Sequence, residues 1–443
     1  MKEFSRTVCK IAIPVTIQSM LQSSFSIIDQ LMIGQLGSKS IAAVGLGGNF
    51  SLIFSVVIGA VGTVAGILIA QFLGAKDEEE AWRGFWVSTL AGVAVAAIFT
   101  IGGLFFTGQI LRIYTKDAGI VVEGLVYLKL LSFTFIPMAF SSIAAVWLRC
   151  REYAAVPLAA SLLAVFCNTG LNYLLIFGKF GQKPMGTCGA GLATLISQIL
   201  NLMFMILGFM YCVQKEKSRI TWAVKLKKVT GMEYLAMVMP ILFSEFVWSM
   251  GQNVFSAVYG HIGTESLAAY TLTTPVQGLF IGVFSGLSAA SGVIVGKELG
   301  KKEYACAYKD SVKMLLLGAA GTGILAVALV CMAGFYVSFY QVEDSVKETA
   351  RCILIIFALY TPVKVQNMIL GGGIIRSGGN TKIIMMIDVF GTLAVGIPLC
   401  FIAAYIWKLS VIWVYGILSV EEIVRFVITF VMFRKKDWMK SIS

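Results

Sequence analysis

The sequence predicts an all-α polytopic membrane protein with twelve transmembrane helices in two six-helix lobes. Composition, recurrent apolar runs and an internal duplication support this prediction. The chain of 443 residues is 58% hydrophobic and 13% charged, whereas about 25% of residues are charged in soluble domains. Apolar runs of about 20 residues, long enough to cross a hydrocarbon layer of ~30 Å, recur along the chain. Because the backbone in lipid must satisfy its own hydrogen bonds, these runs predict helices.

The predicted spans follow one another with short connections. The longest polar connection, 214–231, leaves little room for a soluble domain. In chain order the spans cover approximately residues 11–33, 46–73, 85–108, 125–148, 157–178, 189–213, 233–259, 272–296, 312–334, 352–375, 383–407 and 410–433.

The two halves of the chain resemble each other. Residues 14–81 align with residues 240–307 without a gap, and Arg151 and Arg376 lie at the same distance after a proline in span 4 or span 10. Because each half contains six spans, both enter the membrane in the same orientation. The repeat is therefore parallel, with a pseudo-twofold axis along the membrane normal, an organisation found in secondary transporters.

The positions of the basic residues along the chain predict the domain boundaries and the membrane topology. We predict an N-terminal lobe at 1–214, a cytoplasmic linker at 215–231 and a C-terminal lobe at 232–443. Most of the 35 basic residues lie in alternate connections on the side of the N-terminus. By the positive-inside rule, both termini are then cytoplasmic, and the chain crosses the cytoplasmic (inner) membrane of the cell repeatedly. The net charge of +12 therefore reflects topology, and we expect no nucleic-acid partner.

Several classes of enzyme are excluded by what the sequence lacks. It contains no Gly-x4-Gly-Lys-Ser/Thr motif for binding nucleotide phosphates. Its single histidine, His261, provides neither a histidine-rich metal site nor a nucleophile–base pair. The nine cysteines are scattered without a Cys-x-x-Cys motif, so they indicate no disulfide framework. We expect no enzymatic activity and no cofactor.

Charged residues inside the spans are the candidates for function, because each costs about 3 kcal/mol or more in hydrocarbon. Asp29 lies near the outer end of span 1 and shares a helical face with Gln22 and Ser26. A carboxylate there can bind H⁺ or Na⁺. Asn168 and Asn172 share a face of span 5, and their amide oxygens suit Na⁺. Hydrogen bonding between helices is the alternative role for these amides.

The second half carries a different set of charges. Glu245 in span 7 aligns with Ser19, and the counterpart of Asp29 is Phe255. Glu245 either faces a cationic substrate or forms an ion pair with Lys364 of span 10. The other acidic residues of spans 11 and 12 are expected to form structural pairs: Asp388, Glu421 and Glu422, the last two with Arg425.

Three segments of the sequence form a recognisable set: Pro14…Asp29…Gly34-x-x-Gly37, Asn168…Asn172-Tyr-Leu-Leu-Ile-Phe-Gly178 and Ile375-Arg376-Ser-Gly-Gly-Asn380-Thr381. With the two-lobe plan, they resemble the multidrug and toxic compound extrusion (MATE) family over essentially the whole chain. The resemblance implies twelve spans in two lobes and export of organic, often cationic and amphiphilic compounds, driven by inward movement of H⁺ or Na⁺.

The resemblance also implies a coupling site in the N-terminal lobe. Asp29 corresponds to the span-1 carboxylate of that site, and Asn168 corresponds to the span-5 amide. Asn172 stands where some members have an aspartate, so one carboxylate is missing here. Thr194 of span 6 joins the site. We therefore expect H⁺ or Na⁺ to bind among these four residues.

Substrate contacts are expected at Gln22, Asp29, Glu245 and Lys364. Glu245 resembles the acidic residue that some members use in span 7, whereas the aspartate that accompanies it in span 10 is absent. The expected partners are thus small organic compounds and the lipid bilayer, without an obligate protein partner.

The leading hypothesis is a secondary active antiporter that works by alternating access between its lobes. The first alternative is a flippase for lipid-linked precursors from the related superfamily, which shares the two-lobe plan. That function predicts a more cationic central cleft, to hold phosphates. A channel is a further alternative, against which the duplicated lobes weigh.

Overall fold

The computed structural model describes residues 2–179, 183–217, 220–222, 226–340 and 342–442. Every regular element in these ranges is a helix, and the predicted all-α fold class is confirmed. Two compact units are formed, residues 1–73 with 77–230, and residues 74–76 with 231–443.

The N-terminal unit contains eight helices. The junction between α5 and α6 bends by 42°, and the two helices together have the length and apolar composition of one span. The helices are α1 (Lys2–Gly34), α2 (Ser38–Gly74), α3 (Glu78–Phe105), α4 (Thr107–Tyr114), α5 (Ala118–Ser132), α6 (Phe135–Cys150), α7 (Ala155–Phe177) and α8 (Gly186–Lys215).

The C-terminal unit contains a second series of helices. Three π-helical segments, Met368–Ile375, Phe390–Gly396 and Ile402–Ile406, continue α12, α13 and α14 respectively. The helices are α9 (Gly231–Ile262), α10 (Thr264–Gly300), α11 (Tyr304–Ser338), α12 (Asp344–Asn367), α13 (Thr381–Val389), α14 (Ile397–Phe401), α15 (Val411–Leu418) and α16 (Val420–Lys435).

These elements account for the predicted spans. Nine helices in the described ranges are long and apolar enough to cross a membrane, and the pair α5–α6 adds a tenth. The two other predicted spans are α1 and the pair α15–α16. In that pair Ser419 separates two helices, neither of which has the length of a span by itself.

The predicted linker packs on the N-terminal unit wherever the structure describes it. The backbone N–H of Lys227 donates to both carboxylate oxygens of Glu80, over 3.2 and 3.1 Å, and Nζ of Lys227 lies 3.0 Å from Glu79. Glu80 is 3% exposed, so its carboxylate is buried, whereas the contact between Lys227 and Glu79 is exposed. The boundaries of the linker at 215 and 231 stay a prediction.

Glycine allows a close helix contact in the C-terminal unit. A Cβ atom on Gly373 would lie 2.6 Å from the carbonyl oxygen of Ser288 and would also meet the side chain of Ser291. The hydroxyl of Ser288 donates to the carbonyl of Met368 over 2.8 Å, which joins α10 to the π-helical segment after α12. Small residues at such contacts let two helix backbones approach in lipid.

We predict that Gly373→Ala destabilises the protein, because the backbone carbonyl of Ser288 cannot move away from the added methyl group. Overpacking of this kind costs about 1–3 kcal/mol. The measurement is the Tm of the purified protein in detergent, followed by the loss of its monodisperse chromatographic peak on heating.

Gly323→Ala is the matched control, because no atom lies within 4 Å of a Cβ at that exposed position. Its Tm should equal or exceed that of the native protein. Equal Tm values for the two variants would contradict the close contact at Gly373.

Candidate functional site

The candidate site lies in the N-terminal unit, where α1 packs against α7 and α7 packs against α8. Each helix presents polar side chains at spacings of three, four or seven residues, which place them on one helical face. They are Gln18, Gln22 and Asp29 on α1, Ser161, Asn168 and Asn172 on α7, and Thr194, Ser197 and Asn201 on α8.

Asp29 is held by an amide of α7. Nδ2 of Asn172 donates to Oδ1 of Asp29 over 2.9 Å and to Oδ1 of Asn168 over 3.1 Å. Asn172 is 2% exposed, so these bonds are shielded from solvent. Within the described part of the chain, Asp29 forms no ion pair with a basic side chain. Amide groups alone therefore balance its charge.

Asn168 links Asp29 to α8 in a way that depends on how its amide is turned. The amide atom that faces Asp29 lies 3.1 Å from Oδ1 and 3.0 Å from Oδ2. If that atom is nitrogen, it donates to the ionised carboxylate; if it is oxygen, it accepts from a protonated carboxyl group. In the second case its nitrogen lies 3.4 Å from Oγ1 of Thr194 and 3.3 Å from Oγ of Ser197.

The site is rich in oxygen atoms that suit a small cation. Carboxylate, amide and hydroxyl oxygens are the hard ligands that alkali and alkaline-earth cations prefer, and Asp29, Asn168 and Thr194 supply one of each kind. Oδ1 of Asn172 is buried and has no hydrogen-bond partner in the described ranges. The arrangement can hold either H⁺ on the carboxylate or Na⁺ among the oxygens.

A cavity of about 250 Å³ opens onto these side chains. Gln22, Asp29, Asn168 and Thr194 all line it, and Asn172 lies behind Asp29 through its hydrogen bond. The structure therefore brings together every residue that the sequence proposed for the N-terminal lobe. The side chain of Ser26, which the sequence placed on the same face, lies outside the described part.

Four further polar residues line the cavity without having been predicted: Ser161, Ser197, Gln198 and Asn201. The signal for them was present in the sequence, because Thr194, Ser197 and Asn201 are spaced to share one face of an otherwise apolar span. Uncharged polar residues in spans are common, so spacing alone did not distinguish them.

Of the two alternatives for Glu245, the ion pair with Lys364 does not form in the C-terminal unit. Arg376 approaches Glu245 at 4.0 Å, and Lys364 approaches Glu422 at 3.8 Å. Glu245 lies nearer to Arg376, and Lys364 lies nearer to Glu422, than Glu245 and Lys364 lie to each other. Opposite charges in lipid pair with the nearest partner.

Of the two pairs expected with Arg425, the one with Glu421 is present and extends to span 11, whereas Glu422 pairs with Lys364 instead. Arg425 lies 2.5 Å from Glu421, donates to Oγ1 of Thr392 over 2.5 Å and lies 3.8 Å from Asp388. Gly391, in the π-helical segment 390–396, makes room for this pair, because a Cβ at that position would collide with Arg425. Arg425 and Glu421 are 8% and 7% exposed, so their charges neutralise each other inside the unit.

The two units thus treat their acidic residues differently. The four acidic groups in the spans of the C-terminal unit described above each have a basic partner or share one. Asp29 has amide partners instead. Of these carboxylates, Asp29 is therefore the one that can exchange a cation without breaking an ion pair.

A family model described as MatE matches the chain twice, over residues 14–174 and 240–402. The matches begin at Pro14 and Pro240, which the internal repeat aligns. Both halves of the chain are therefore copies of the same family unit, and together the matches cover more than half of the chain.

Curated relatives resemble the chain over most of its length. The uncharacterized transporter YisQ of Bacillus subtilis (strain 168) is 22% identical over 440 residues, or 96% of this chain and 93% of YisQ. A probable multidrug resistance protein NorM of Thermotoga maritima is 23% identical over 446 residues, or 99% and 94%. Another of Photorhabdus laumondii is 26% identical over 398 residues, or 88% and 86%.

Solved structures show the same fold. A mutant of the Vibrio cholerae MATE transporter VcmN superimposes with a TM-score of 0.87 at 14% identity, covering 98% of this chain and 97% of that chain. A MOP superfamily transporter from Pyrococcus furiosus gives 0.85 at 18% identity, covering 98% and 95%. The two-lobe fold class is thereby confirmed, as is the resemblance on which it drew: the chain belongs to the MatE family of membrane transporters.

Proposed function

We propose that the protein is a secondary active antiporter that exports organic, cationic and amphiphilic compounds in exchange for H⁺ or Na⁺. One observation carries the proposal: Asp29, on a membrane helix, faces a polar cavity. Its carboxylate is hydrogen-bonded by an amide and has no basic partner in the described ranges. Relatives named as multidrug resistance proteins support export of such compounds.

Coupling follows from the hydrogen bonds of Asp29. The ionised carboxylate favours amide nitrogens facing it from Asn168 and Asn172. A bound H⁺ or Na⁺ favours the oxygen of Asn168, whose nitrogen then turns to Thr194 and Ser197 of α8. Cation binding therefore changes how α1 and α7 are joined to α8. A cation that stabilises one such arrangement shifts the population between two conformations of the transporter.

Alternating access converts that shift into export. The cation binds from the outside in one conformation and leaves to the inside in the other, where substrate binds. Gln22 and Asp29 line the cavity and are the proposed substrate contacts of the N-terminal unit. Glu245 and Lys364, with side chains 39% and 32% exposed, are the candidates in the C-terminal unit.

The proposed location is the cytoplasmic membrane, with both termini in the cytoplasm. The distribution of basic residues between alternate connections supports this orientation.

Asp29→Asn is predicted to abolish coupled transport while the protein stays folded, because the amide keeps the size of the carboxylate and one oxygen that can accept from Asn172, but it cannot ionise. We expect transport of rhodamine 123 by the purified protein in liposomes, under an imposed pH or Na⁺ gradient, to fall at least about tenfold, which corresponds to ~1.4 kcal/mol. Whichever gradient drives transport by the native protein identifies the coupling ion.

Asp344→Asn is the control, because that carboxylate is 98% exposed and does not line the cavity. It should transport as the native protein does. Unchanged coupling in Asp29→Asn would refute the role of Asp29. A native protein that moves no organic cation under either gradient would favour the lipid-precursor flippase instead.

Arg425→Met is predicted to destabilise the C-terminal unit, because it leaves the buried Glu421 without its partner. Breaking a buried pair on one side costs about 3–5 kcal/mol, whereas replacing both charges by apolar residues costs little. The Tm of the protein in detergent should therefore fall for Arg425→Met and recover in the double variant Arg425→Met/Glu421→Met. A double variant less stable than the single one would contradict a purely structural pair.

A further inference from the structure

A second polar cavity lies in the N-terminal unit, next to the cavity of Asp29. It measures about 310 Å³ and shares Gln22, Ser161, Gln198 and Asn201 with its neighbour. Arg149, at the end of α6, is the one charged side chain among the described residues that line it. The cavity therefore combines a single positive charge with uncharged polar groups and contains no acidic side chain in the described ranges.

Arg149 differs from the arginine two residues further along. Arg151 lies 2.6 Å from Glu216 and 3.1 Å from Glu78, so its charge is balanced by two carboxylates. Arg149 forms neither an ion pair nor a hydrogen bond with any side chain in the described part of the chain. A guanidinium that lines a cavity without a carboxylate partner is costly, and an anion beside it removes much of the cost.

Two hydroxyl groups of α6 accompany Arg149 in the cavity. Ser142 lies seven residues before Arg149, which is two helical turns on the same face, and Ser141 adjoins it. Ser141 is 7% exposed, and its Oγ atom has no hydrogen-bond partner in the described ranges. A buried hydroxyl without a partner is unusual and marks a donor that is available to a ligand.

The C-terminal unit shows how the equivalent arginine is satisfied. In the repeat, Gln18 and Ser19 align with Ser244 and Glu245. Gln18 donates to Ser161 over 2.7 Å, and Ser244 in the same way donates to Asp388. Ser161 is therefore the counterpart of Asp388.

The same equivalence identifies the counterpart of Arg376. Arg376 approaches Asp388 at 3.8 Å and Glu245 at 4.0 Å. Their counterparts, Ser161 and Ser19, line the cavity of Arg149. The counterpart of Arg376 is then Arg149 and not Arg151, to which the spacing after the prolines pointed. The second family match is longer than the first, so the offset in residue number between matching positions increases along the chain. The offset from Arg149 to Arg376 fits this increase, whereas the offset from Arg151 to Arg376 would be a decrease.

From this comparison we propose that Arg149, with Ser141 and Ser142, binds an anionic group, a carboxylate or a small anion such as chloride. The C-terminal arginine has two built-in carboxylates, whereas the N-terminal arginine has serines in their places. A carboxylate delivered by a ligand would complete the same arrangement.

The inference rests on the proposed function where it concerns transport, and it refines the substrate class. Because the cavities of Arg149 and Asp29 adjoin, an organic compound with a cationic group and a carboxylate matches both ends of the combined space. The protein should then prefer zwitterionic compounds to simple cations. If the anion is free chloride, transport of simple cations should depend on chloride instead.

Binding is tested first, without reference to transport. Purified full-length protein in detergent should broaden the chloride-35 NMR signal, and added acetate should reverse the broadening. Arg149→Gln should lose the effect at least tenfold, and Arg149→Lys should retain part of it because the charge remains. Arg151→Gln is the matched control and should behave as the native protein does.

Ser161→Asp provides a variant that keeps Arg149. It copies the C-terminal arrangement by placing a built-in carboxylate beside the arginine, so it should abolish broadening in a folded protein. A native protein that does not broaden the chloride signal, or broadening that persists in both Arg149→Gln and Ser161→Asp, would overturn the proposal.

Transport then distinguishes the two sources of the anion. Rhodamine 123 and rhodamine 110 differ in that the first has a methyl ester where the second has a carboxylate. A preference of about tenfold for rhodamine 110 that disappears in Arg149→Gln assigns the site to the substrate. Equal transport that requires chloride in the native protein, but not in Arg149→Gln, assigns it to the free anion.

The anion site and the antiporter function can be refuted independently of each other. Transport of rhodamine 123 with neither a carboxylate preference nor a chloride requirement would overturn the anion site during transport and leave the antiporter intact. Absence of transport of both compounds under every gradient would overturn the proposed function, while the chloride signal still decides whether Arg149 binds an anion.

Discussion

Balancing ionised groups inside lipid-embedded helices is the constraint on which the rest of this structure depends. A charge in hydrocarbon is costly, so it needs an opposite charge, hydrogen-bond donors or a ligand. The C-terminal unit meets this requirement internally, through pairs such as Arg425 with Glu421. The N-terminal unit does so only in part, because Asp29 has amides and Arg149 has no acidic partner in the described ranges.

This difference assigns different tasks to two copies of one family unit. We infer that the C-terminal unit, whose buried charges are paired, is a rigid support, since rearranging it would expose buried charge. We infer that the N-terminal unit, where Asp29 and Arg149 have no oppositely charged partner in the described ranges, responds to what binds. We infer that H⁺ or Na⁺ at Asp29 and an anionic group at Arg149 supply the missing balance in the N-terminal unit, and that their exchange drives the transport cycle.

Sequence patterns predicted some parts of this arrangement and missed others. Asp29, Asn168 and Asn172 could be found because helical spacing places them on defined faces of recognisable spans. The sequence offered Lys364 as one alternative for Glu245 and did not identify Arg376, because that choice depends on how helices rotate and pack. Arg149 was overlooked since, beside Arg151, it satisfied the positive-inside pattern equally well. The π-helical segments carry no periodicity that distinguishes them from α-helix.

Exchange of substrate for a cation at Asp29 is tested most directly by asking whether substrate and cation compete for binding to the N-terminal unit. Rhodamine 123 can be added to the purified protein in weakly buffered detergent solution while a pH indicator and a Na⁺-selective electrode record what is released. We expect the native protein to release H⁺ or Na⁺ in proportion to bound substrate, and Asp29→Asn to release none. Substrate binding that releases neither ion from the native protein, or releases the same amount from Asp29→Asn, would contradict this exchange.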